Sequence, residues 1–336
     1  MKRSSQVLTR VRKTDSSRTS VASLDPSPRL GTRDNGRMAP VLGSARTALA
    51  LALRNYIGGP NASARARAIL ERPGPRWFDE DRPIRRVHSD TAMFIGGLRA
   101  LLLQSLHPLA MAAIADYSGY RADPWGRLHR TGHFIGTTTF GTVADAERAV
   151  ATVRRVHSRI AGTAPDGRSY AANDPHLLGW VHVAEVDSFL RAYQRYGASK
   201  LNRTESDRYV ADMAKIGDAL GVIDPPESTA ALGATIDGYR AELQGTAAAR
   251  DAARFLLLTP PIPLAARPAY SILAGAAVAD LPLQLRRSLR LPWLPFADAL
   301  YVRPAGGALT ATLRWILSAD DPSSTSTDDR NAASAV

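Results

Sequence analysis

The sequence predicts an all-α fold, with many helices packed as a globular bundle in a single domain. The region between residues 38 and 318 is continuous and rich in alanine and leucine. It has no convincing run of alternating apolar and polar residues and no internal repeat. Residues that start or stop helices divide it at short intervals, which is typical of a helical bundle.

The first part of this region contains three predicted helices. Residues 38–57 are apolar and Ala-rich, and a Gly-Gly-Pro sequence at 58–60 ends them. Asn61 caps a short helix that runs to Leu70. Pro83 suits the first turn of a helix that continues through Leu106, and Pro108 then breaks or kinks it.

Cap signals predict the helices that follow. An Asp-Pro pair at 123–124 suits the start of one helix. Thr142 and the aspartate three residues later approximate a capping box before a helix to Ala161. A second Asp-Pro pair, at 174–175, precedes a long helix over residues 176–196. Thr204 caps the next helix, which ends at Gly221. Further helices are predicted over residues 227–244, 246–258, 266–289 and 297–318.

The two ends of the chain are predicted to be disordered tails. Residues 1–37 hold nine Lys or Arg against three Asp, so they supply half of the net charge of +12. This segment is rich in Ser and Thr and lacks the apolar run of a secretory signal. Residues 319–336 form a polar, acidic tail. Because the basic excess is concentrated in one tail, nucleic acid is not the expected partner.

Composition excludes several kinds of site. The chain has no cysteine, which rules out disulfides, iron–sulfur clusters and thiolate-ligated haem. No phosphate-binding loop, dinucleotide fingerprint or hydrolase elbow is present, so Rossmann and hydrolase classes are not expected. The apolar stretch 92–115 contains Arg99 and Pro108, which a membrane span tolerates poorly. We interpret it as a buried pair of helices.

Seven histidines are the most informative residues for a site. They are His88, His107, His129, His133, His157, His176 and His182. His182 lies among apolar residues of a predicted helix, which suits either a core histidine or a neutral metal ligand.

The other histidines carry weaker signals. Arg154 and His157 share one helix face, which suits either a solvated basic face or a cation and a base over a bound ligand. His129 and His133 are four apart but lack the glutamate of a zinc protease motif, so we interpret them as structural. His107 ends an apolar helix. The remaining two, His88 and His176, are expected to be exposed.

Six segments occur in an order that resembles one family. They are LRALLLQSLHP (98–108), DYS (116–118), DPWGRLHRT (123–131), GTTTFG (136–141), VRRVHSRIAG (153–162) and YAANDPHLLGWVH (170–182). This series is similar to the catalytic domain shared by MpaB-like oxygenases and the latex-clearing rubber oxygenase. The resemblance covers roughly residues 75–290, and its sharpest element is Trp180-Val-His182.

The resemblance implies a globin-like helical core that holds haem b. His182 corresponds to the axial iron ligand. Trp180, His107 and Arg154 correspond to residues that bind the cofactor. Arg154 and His157 also correspond to catalytic residues on the distal side. The rubber-cleaving members have lysine where this chain has His157. Asp212 stands where many relatives have glutamate.

The expected function is therefore a haem-dependent oxygenase that uses dioxygen on a hydrophobic, isoprenoid- or lipid-like small molecule. A non-catalytic haem- or lipid-binding protein on a membrane surface is the alternative. The apolar segment 255–285, followed by Arg286, Arg287 and Arg290, suits an anionic bilayer. The expected location is the cytoplasm, with peripheral membrane contact as part of the alternative.

Overall fold

A computed structural model describes residues 38–117, 119 and 121–320. In this part of the chain the structure is almost wholly helical, which confirms the all-α fold, and residues from Leu42 onward form one compact unit. The predicted basic tail and residues 321–336 of the polar tail lie outside the described residues.

The helices follow one another with short connections. They are α1 (Met38–Gly58), α2 (Ala62–Glu71), α3 (Pro83–Ser89), α4 (Met93–Gln104), α5 (Pro108–Tyr117), α6 (Pro124–Phe140), α7 (Val143–His157), α8 (Pro175–Tyr196), α9 (Arg203–Leu220), α10 (Thr229–Tyr239), α11 (Ala247–Leu258), α12 (Arg267–Ala279), α13 (Leu283–Ser288), α14 (Pro295–Ala297) and α15 (Arg303–Leu317). A π-helical turn, Asp298–Val302, joins α14 to α15.

Side-chain caps start several helices where the sequence predicts them. The backbone N–H of Gly126 donates to Asp123 at 2.8 Å, and that of Asp145 donates to Thr142 at 3.2 Å. Asp174 caps α8 in the same way. The predicted Thr204 cap is wrong by two residues, because Asn202 forms a reciprocal capping box with the glutamate three positions later.

Two predicted long helices are each divided in two. The helix expected over 83–106 is interrupted between α3 and α4, where the Asp90 side chain accepts the N–H of Ala92 at 2.7 Å and pairs with Arg314. The helix expected over 266–289 is interrupted before α13, where Asp280 is buried in an ion pair with Arg195 at 2.8 Å. In both places a carboxylate with distant partners holds the break, which local sequence does not reveal.

A short β-hairpin replaces the predicted last turn of α7. Strands β1 (Ala161–Thr163) and β2 (Ser169–Ala171) pair antiparallel, with Gly162 opposite Tyr170. The Tyr170 hydroxyl donates to Asp116 at the end of α5. A side chain at position 162 would collide with the Tyr170 hydroxyl, so glycine is needed there. The hairpin therefore lies against α5 and leads the chain from α7 to α8.

Helix α8 is the central element, and it packs mainly against α4 and α9. Gly96 of α4 lets the two backbones approach, since an added Cβ would lie 3.0 Å from the Phe189 ring. A glycine is therefore needed at this crossing of α4 and α8. Beside it, Arg99 is 1% exposed and pairs with Asp187 of α8 at 2.8 Å.

Among the described residues, no single helix is long and apolar enough to cross a membrane. Helices α4 and α5 are long and apolar enough for a membrane span only when taken together, and the chain bends by 108° between them. Most of α4 is buried against other helices, as expected of a buried helix pair.

Candidate functional site

His182 lies inside the fold on α8. Only 8% of the residue is exposed, and its Nε2 atom is buried with no hydrogen-bond partner. Burial lowers the pKa of the imidazole to about 4, so the ring is neutral at pH 7. A buried nitrogen without a partner is destabilising by about 1–3 kcal/mol unless a ligand satisfies it. The arrangement therefore suits metal ligation.

The ring of His182 lies against the backbone of Gly217 on α9. A Cβ built at position 217 would lie 2.9–3.1 Å from three atoms of this ring, closer than side chains pack. Any residue with a side chain at position 217 would displace the His182 ring. The residues present thus fit a haem in two respects: an orphaned imidazole nitrogen, and a glycine that gives the imidazole its space.

Arg154 and His157 lie at the end of α7, beside the last turn of the same helix α9. The Arg154 guanidinium donates to the carbonyl of Ala219 at 3.1 Å. It would also lie 4.0 Å from a Cβ added at Gly221. Burial lowers the pKa of His157, so its ring is neutral at pH 7. The segment 217–221 therefore links His182 to the two residues predicted to be catalytic.

Two clefts open beside this segment. One, of about 500 Å³, is lined by Trp77, Glu147, Val150, Ala151, Arg154 and Ala219. The other, of about 300 Å³, is lined by Arg154, His157, Ser158, Asn173, Pro175, Leu178, Leu220 and Gly221. Arg154 borders both clefts, so it stands between a largely apolar space and a more polar one.

Trp180 and His107 lie together, but apart from His182. Residues two apart on a helix point in nearly opposite directions, so Trp180 faces away from His182. The Trp180 indole donates to the carbonyl of Gln104 at 3.4 Å, and its ring lies 6.5 Å from that of His107. The structure thus brings together His182, Arg154 and His157 around the end of α9, and gathers Trp180 and His107 on the other side of α8.

Glu185, a half-buried acid three residues after His182 on the same helix, was not identified from the sequence. Glu185 lies one turn further along α8, and burial raises the pKa of its carboxyl to about 7. Burial raises the pKa of Tyr209, and the negative charge of ionised Glu185 raises it further. The Tyr209 hydroxyl lies 3.5 Å from His88 Nε2, and His88 Nδ1 lies 2.7 Å from the Thr139 hydroxyl. An acidic residue in the apolar stretch of α8, three residues after a candidate ligand, was the available signal.

The prediction that His88 is exposed is wrong. Helix α3 packs against α6, α8 and α9, and the His88 ring lies edge-on to Phe189 at 5.6 Å. Burial lowers its pKa to about 3. His176 is exposed, as expected. His129 contacts Trp125 and the Tyr56 carbonyl, in keeping with a structural role.

Asp212, where many relatives of the predicted family have glutamate, is a buried ion-pair residue. Arg82 donates to its Oδ1, with the Nε contact at 2.9 Å, while Oδ2 has no partner. Burial raises the pKa of the Asp212 carboxyl, and pairing with Arg82 offsets only part of this rise. The shorter side chain thus binds α9 to the residue that precedes α3.

Replacing Glu185 with glutamine is expected to stabilise the protein at alkaline pH. The folded protein holds a proton on Glu185 up to about pH 7, whereas the unfolded chain releases it near pH 4.5. Stability from this group is therefore full below pH 4.5 and is lost as pH rises towards 7. At pH 8 we expect Glu185→Gln to gain up to about 3 kcal/mol in the free energy of unfolding.

Urea unfolding of both proteins between pH 4 and 8 checks this. Glu71→Gln, at the exposed end of α2, is the matched control and should follow the wild type. A constant difference between Glu185→Gln and wild type at every pH would contradict the assigned pKa.

Comparison with known proteins adds one finding. A family model described as the ER-bound oxygenase mpaB/B'/rubber oxygenase, catalytic domain, matches residues 85–315. The match spans well over half of the chain and includes each of the five residues predicted for the site: His107, Arg154, His157, Trp180 and His182. No curated protein and no solved structure matches the chain.

Proposed function

Because the chain belongs to the family of MpaB and rubber oxygenase catalytic domains, we propose that it is a haem b-dependent oxygenase in which His182 binds the iron. The observation that carries the proposal is the His182 Nε2 atom, which is buried, neutral at pH 7 and without a partner. Haem b bound there would supply the binding and activation of dioxygen.

The protein's own residues then have distinct roles. His182, held against Gly217, would hold the haem through its Nε2 atom. Arg154 brings a positive charge to the border of both clefts, where it would stabilise a negatively charged group. His157 is neutral at pH 7 and so can accept or donate a proton at its ring nitrogens. Glu185, with a pKa of about 7, holds a proton inside the fold near His182.

The proposed substrate is a hydrophobic small molecule of isoprenoid or lipid-like character. The larger cleft supports this class, because Trp77, Val150 and Ala151 form much of its lining. Glu147 and Arg154 are its charged residues, and they can contact a polar end group of such a molecule.

Absorption spectroscopy tests the proposal. Protein purified from haem-supplemented cells is expected to carry a Soret band, and dioxygen uptake should follow addition of an unsaturated long-chain substrate. A folded, helical protein without a Soret band would rule out haem dependence. A Soret band without oxygen uptake would leave a haem-binding protein that is not an oxygenase on the substrates tested.

Peripheral membrane binding is a second candidate, and exposed aromatic residues favour it. Phe296, Tyr301 and Leu300 are 83%, 72% and 66% exposed, and Trp293 lies in the same segment. The exposed Arg287 and Arg290 precede this segment and suit an anionic surface. The surface differs from the one expected from the sequence.

Two features of that expected surface lie inside the fold. Arg286 pairs with Asp298 at 2.7 Å and is buried. Much of the second half of α12 is buried as well. The membrane-facing residues we propose are therefore those of segment 293–301, which the sequence reading did not include.

Vesicle co-sedimentation tests this surface. Trp293→Ser with Phe296→Ser should weaken binding to phosphatidylglycerol vesicles by at least about tenfold, since burying one large apolar side chain contributes ~1.5–3 kcal/mol. Leu258→Ser removes a 73% exposed apolar side chain outside the segment and is the control. Equal binding by the double variant and the control would contradict a membrane role for this segment.

A further inference from the structure

Three polar side chains meet on the side of α8 that faces away from His182. His107 comes from the joint between α4 and α5, His176 from the first turn of α8, and Glu242 from the segment after α10. His107 Nε2 lies 3.1 Å from Glu242 Oε2, and His176 Nε2 lies 2.9 Å from the same oxygen. One ligand atom from each residue can be chosen so that all three lie within 4.8 Å of one another.

From this geometry we propose that His107, His176 and Glu242 form a binding site for one divalent transition-metal ion, for which Zn²⁺ is the best fit. Two imidazoles and one carboxylate are a donor set that zinc takes up with a water in the fourth position. Ca²⁺ and Mg²⁺ prefer all-oxygen ligands, so two imidazoles disfavour them.

The spacing of the donor atoms supports an ion between them. Ligands of a tetrahedral zinc at 2.0–2.1 Å are separated by about 3.3 Å from one another. The separations of His107 and His176 from Glu242, 3.1 and 2.9 Å, lie a few tenths of an ångström below that value, so small side-chain movements would admit the ion.

Rigid contacts hold each of the three residues in place. The backbone N–H of Gln244 donates to the Leu106 carbonyl at 2.7 Å, which fixes the Glu242 segment beside His107. The Tyr239 hydroxyl donates to the His176 carbonyl at 2.8 Å, and Asp174 accepts the His176 N–H at 2.9 Å. Such supporting contacts are what orient metal ligands in proteins.

Burial differs among the three in a way that suits an exchangeable ion. The His107 side chain is 1% exposed, whereas those of Glu242 and His176 are 36% and 55% exposed. The site is thus anchored in the core and open on one side, where water completes the coordination.

The tautomer of His107 changes when an ion binds. The Ala110 N–H approaches His107 Nδ1 at 3.5 Å, and His107 Nε2 lies 3.1 Å from Glu242 Oε2, which places the ring proton on Nε2 in the ion-free protein. An ion at Nε2 requires this proton to move to Nδ1, so the long contact from the Ala110 N–H is lost on binding.

Calorimetric titration of the tag-free full-length protein with Zn²⁺ alone tests the proposal. We expect one ion per chain and a rise in Tm of about 5 °C when free Zn²⁺ is a hundredfold above its Kd. Co²⁺ in place of Zn²⁺ should give the visible absorption of a tetrahedral nitrogen and oxygen site. His176→Ala and Glu242→Gln should each weaken binding by at least about a hundredfold, since changes outside the ligand sphere alone cost ~10–100-fold.

Control variants separate this site from adventitious binding. His133→Ala removes an exposed histidine on α6 and should bind Zn²⁺ as the wild type does. His176 is exposed, so His176→Ala is expected to keep the wild-type circular dichroism spectrum. Absence of Zn²⁺ binding, or binding that neither His176→Ala nor Glu242→Gln weakens, would overturn the proposal. The result does not depend on haem, because His182 lies on the other face of α8.

Discussion

His182→Ala is expected to lose nearly all bound haem, with a Soret band reduced to the background of free haem. The variant removes a buried, neutral imidazole whose Nε2 atom has no partner. No other described residue among the proposed ligands combines burial, neutrality and an unsatisfied nitrogen. The measurement is the ratio of Soret to protein absorbance after purification from haem-supplemented cells.

A second variant tests the same ligand without removing it. Gly217→Ala places a methyl group 2.9–3.1 Å from three ring atoms of His182, so the ring must shift. We expect a weakened or shifted Soret band in a protein that remains folded. Gly233→Ala is the matched control, because an added Cβ there has nothing within 4 Å.

The outcomes discriminate between ligands. A Soret band that His182→Ala leaves unchanged would keep haem but move the ligand, with His157 or His107 as the next candidates. A band lost equally in Gly217→Ala and Gly233→Ala would point to a general effect on α9 and α10 and would contradict a specific contact with the His182 ring.

Arg99→Met is expected to destabilise the fold by about 3–5 kcal/mol, because it removes the buried partner of Asp187 and leaves only the exposed Arg191 paired with this carboxylate. The Arg99 guanidinium pairs with Asp187, donates to the Ser188 hydroxyl at 2.7 Å and donates to the Asp280 carbonyl at 3.1 Å. These contacts connect α4 to α8 and to the break before α13. Urea unfolding followed by far-ultraviolet circular dichroism measures the loss.

Arg191→Met is the matched control for this experiment. Arg191 pairs with the same Asp187 at 2.7 Å, but its side chain is 62% exposed. Exposed pairs of this kind contribute about 0–1 kcal/mol. A similar loss of stability in the two variants would contradict the prediction that the buried Arg99 contributes more to the free energy of unfolding than the exposed Arg191.

Much of the fold was predictable because local signals start its helices. The Asp-Pro pairs before α6 and α8 and the threonine before α7 act within three residues of themselves, so the sequence alone reveals them. The breaks after α3 and after α12 were not predictable. They depend on Asp90 and Asp280, whose partners Arg314 and Arg195 are distant in sequence.

The candidate site was predictable to a similar degree. The apolar surroundings of His182 indicated a buried imidazole, and the resemblance to a family indicated its role. Periodicity alone could have separated Trp180 from His182, since they are two residues apart on one helix. What the sequence could not reveal is the meeting of His107, His176 and Glu242, because three helix ends distant in sequence create it.

The hairpin between α7 and α8 connects two sides of the smaller cleft, which is lined by Arg154, His157 and Ser158 before the hairpin and by Asn173, Pro175 and Leu178 after it. It carries the chain from Arg154 and His157 to the helix of His182, and Tyr170 fastens it to Asp116. A length change in its exposed turn, residues 165–168, would alter only the tip. An insertion at its base, between residues 158 and 160 or between 172 and 174, would move one wall relative to the other. Natural or engineered differences in the width of the smaller cleft should therefore map to the base of the hairpin, since Ser158 and Asn173 line that cleft from its two sides.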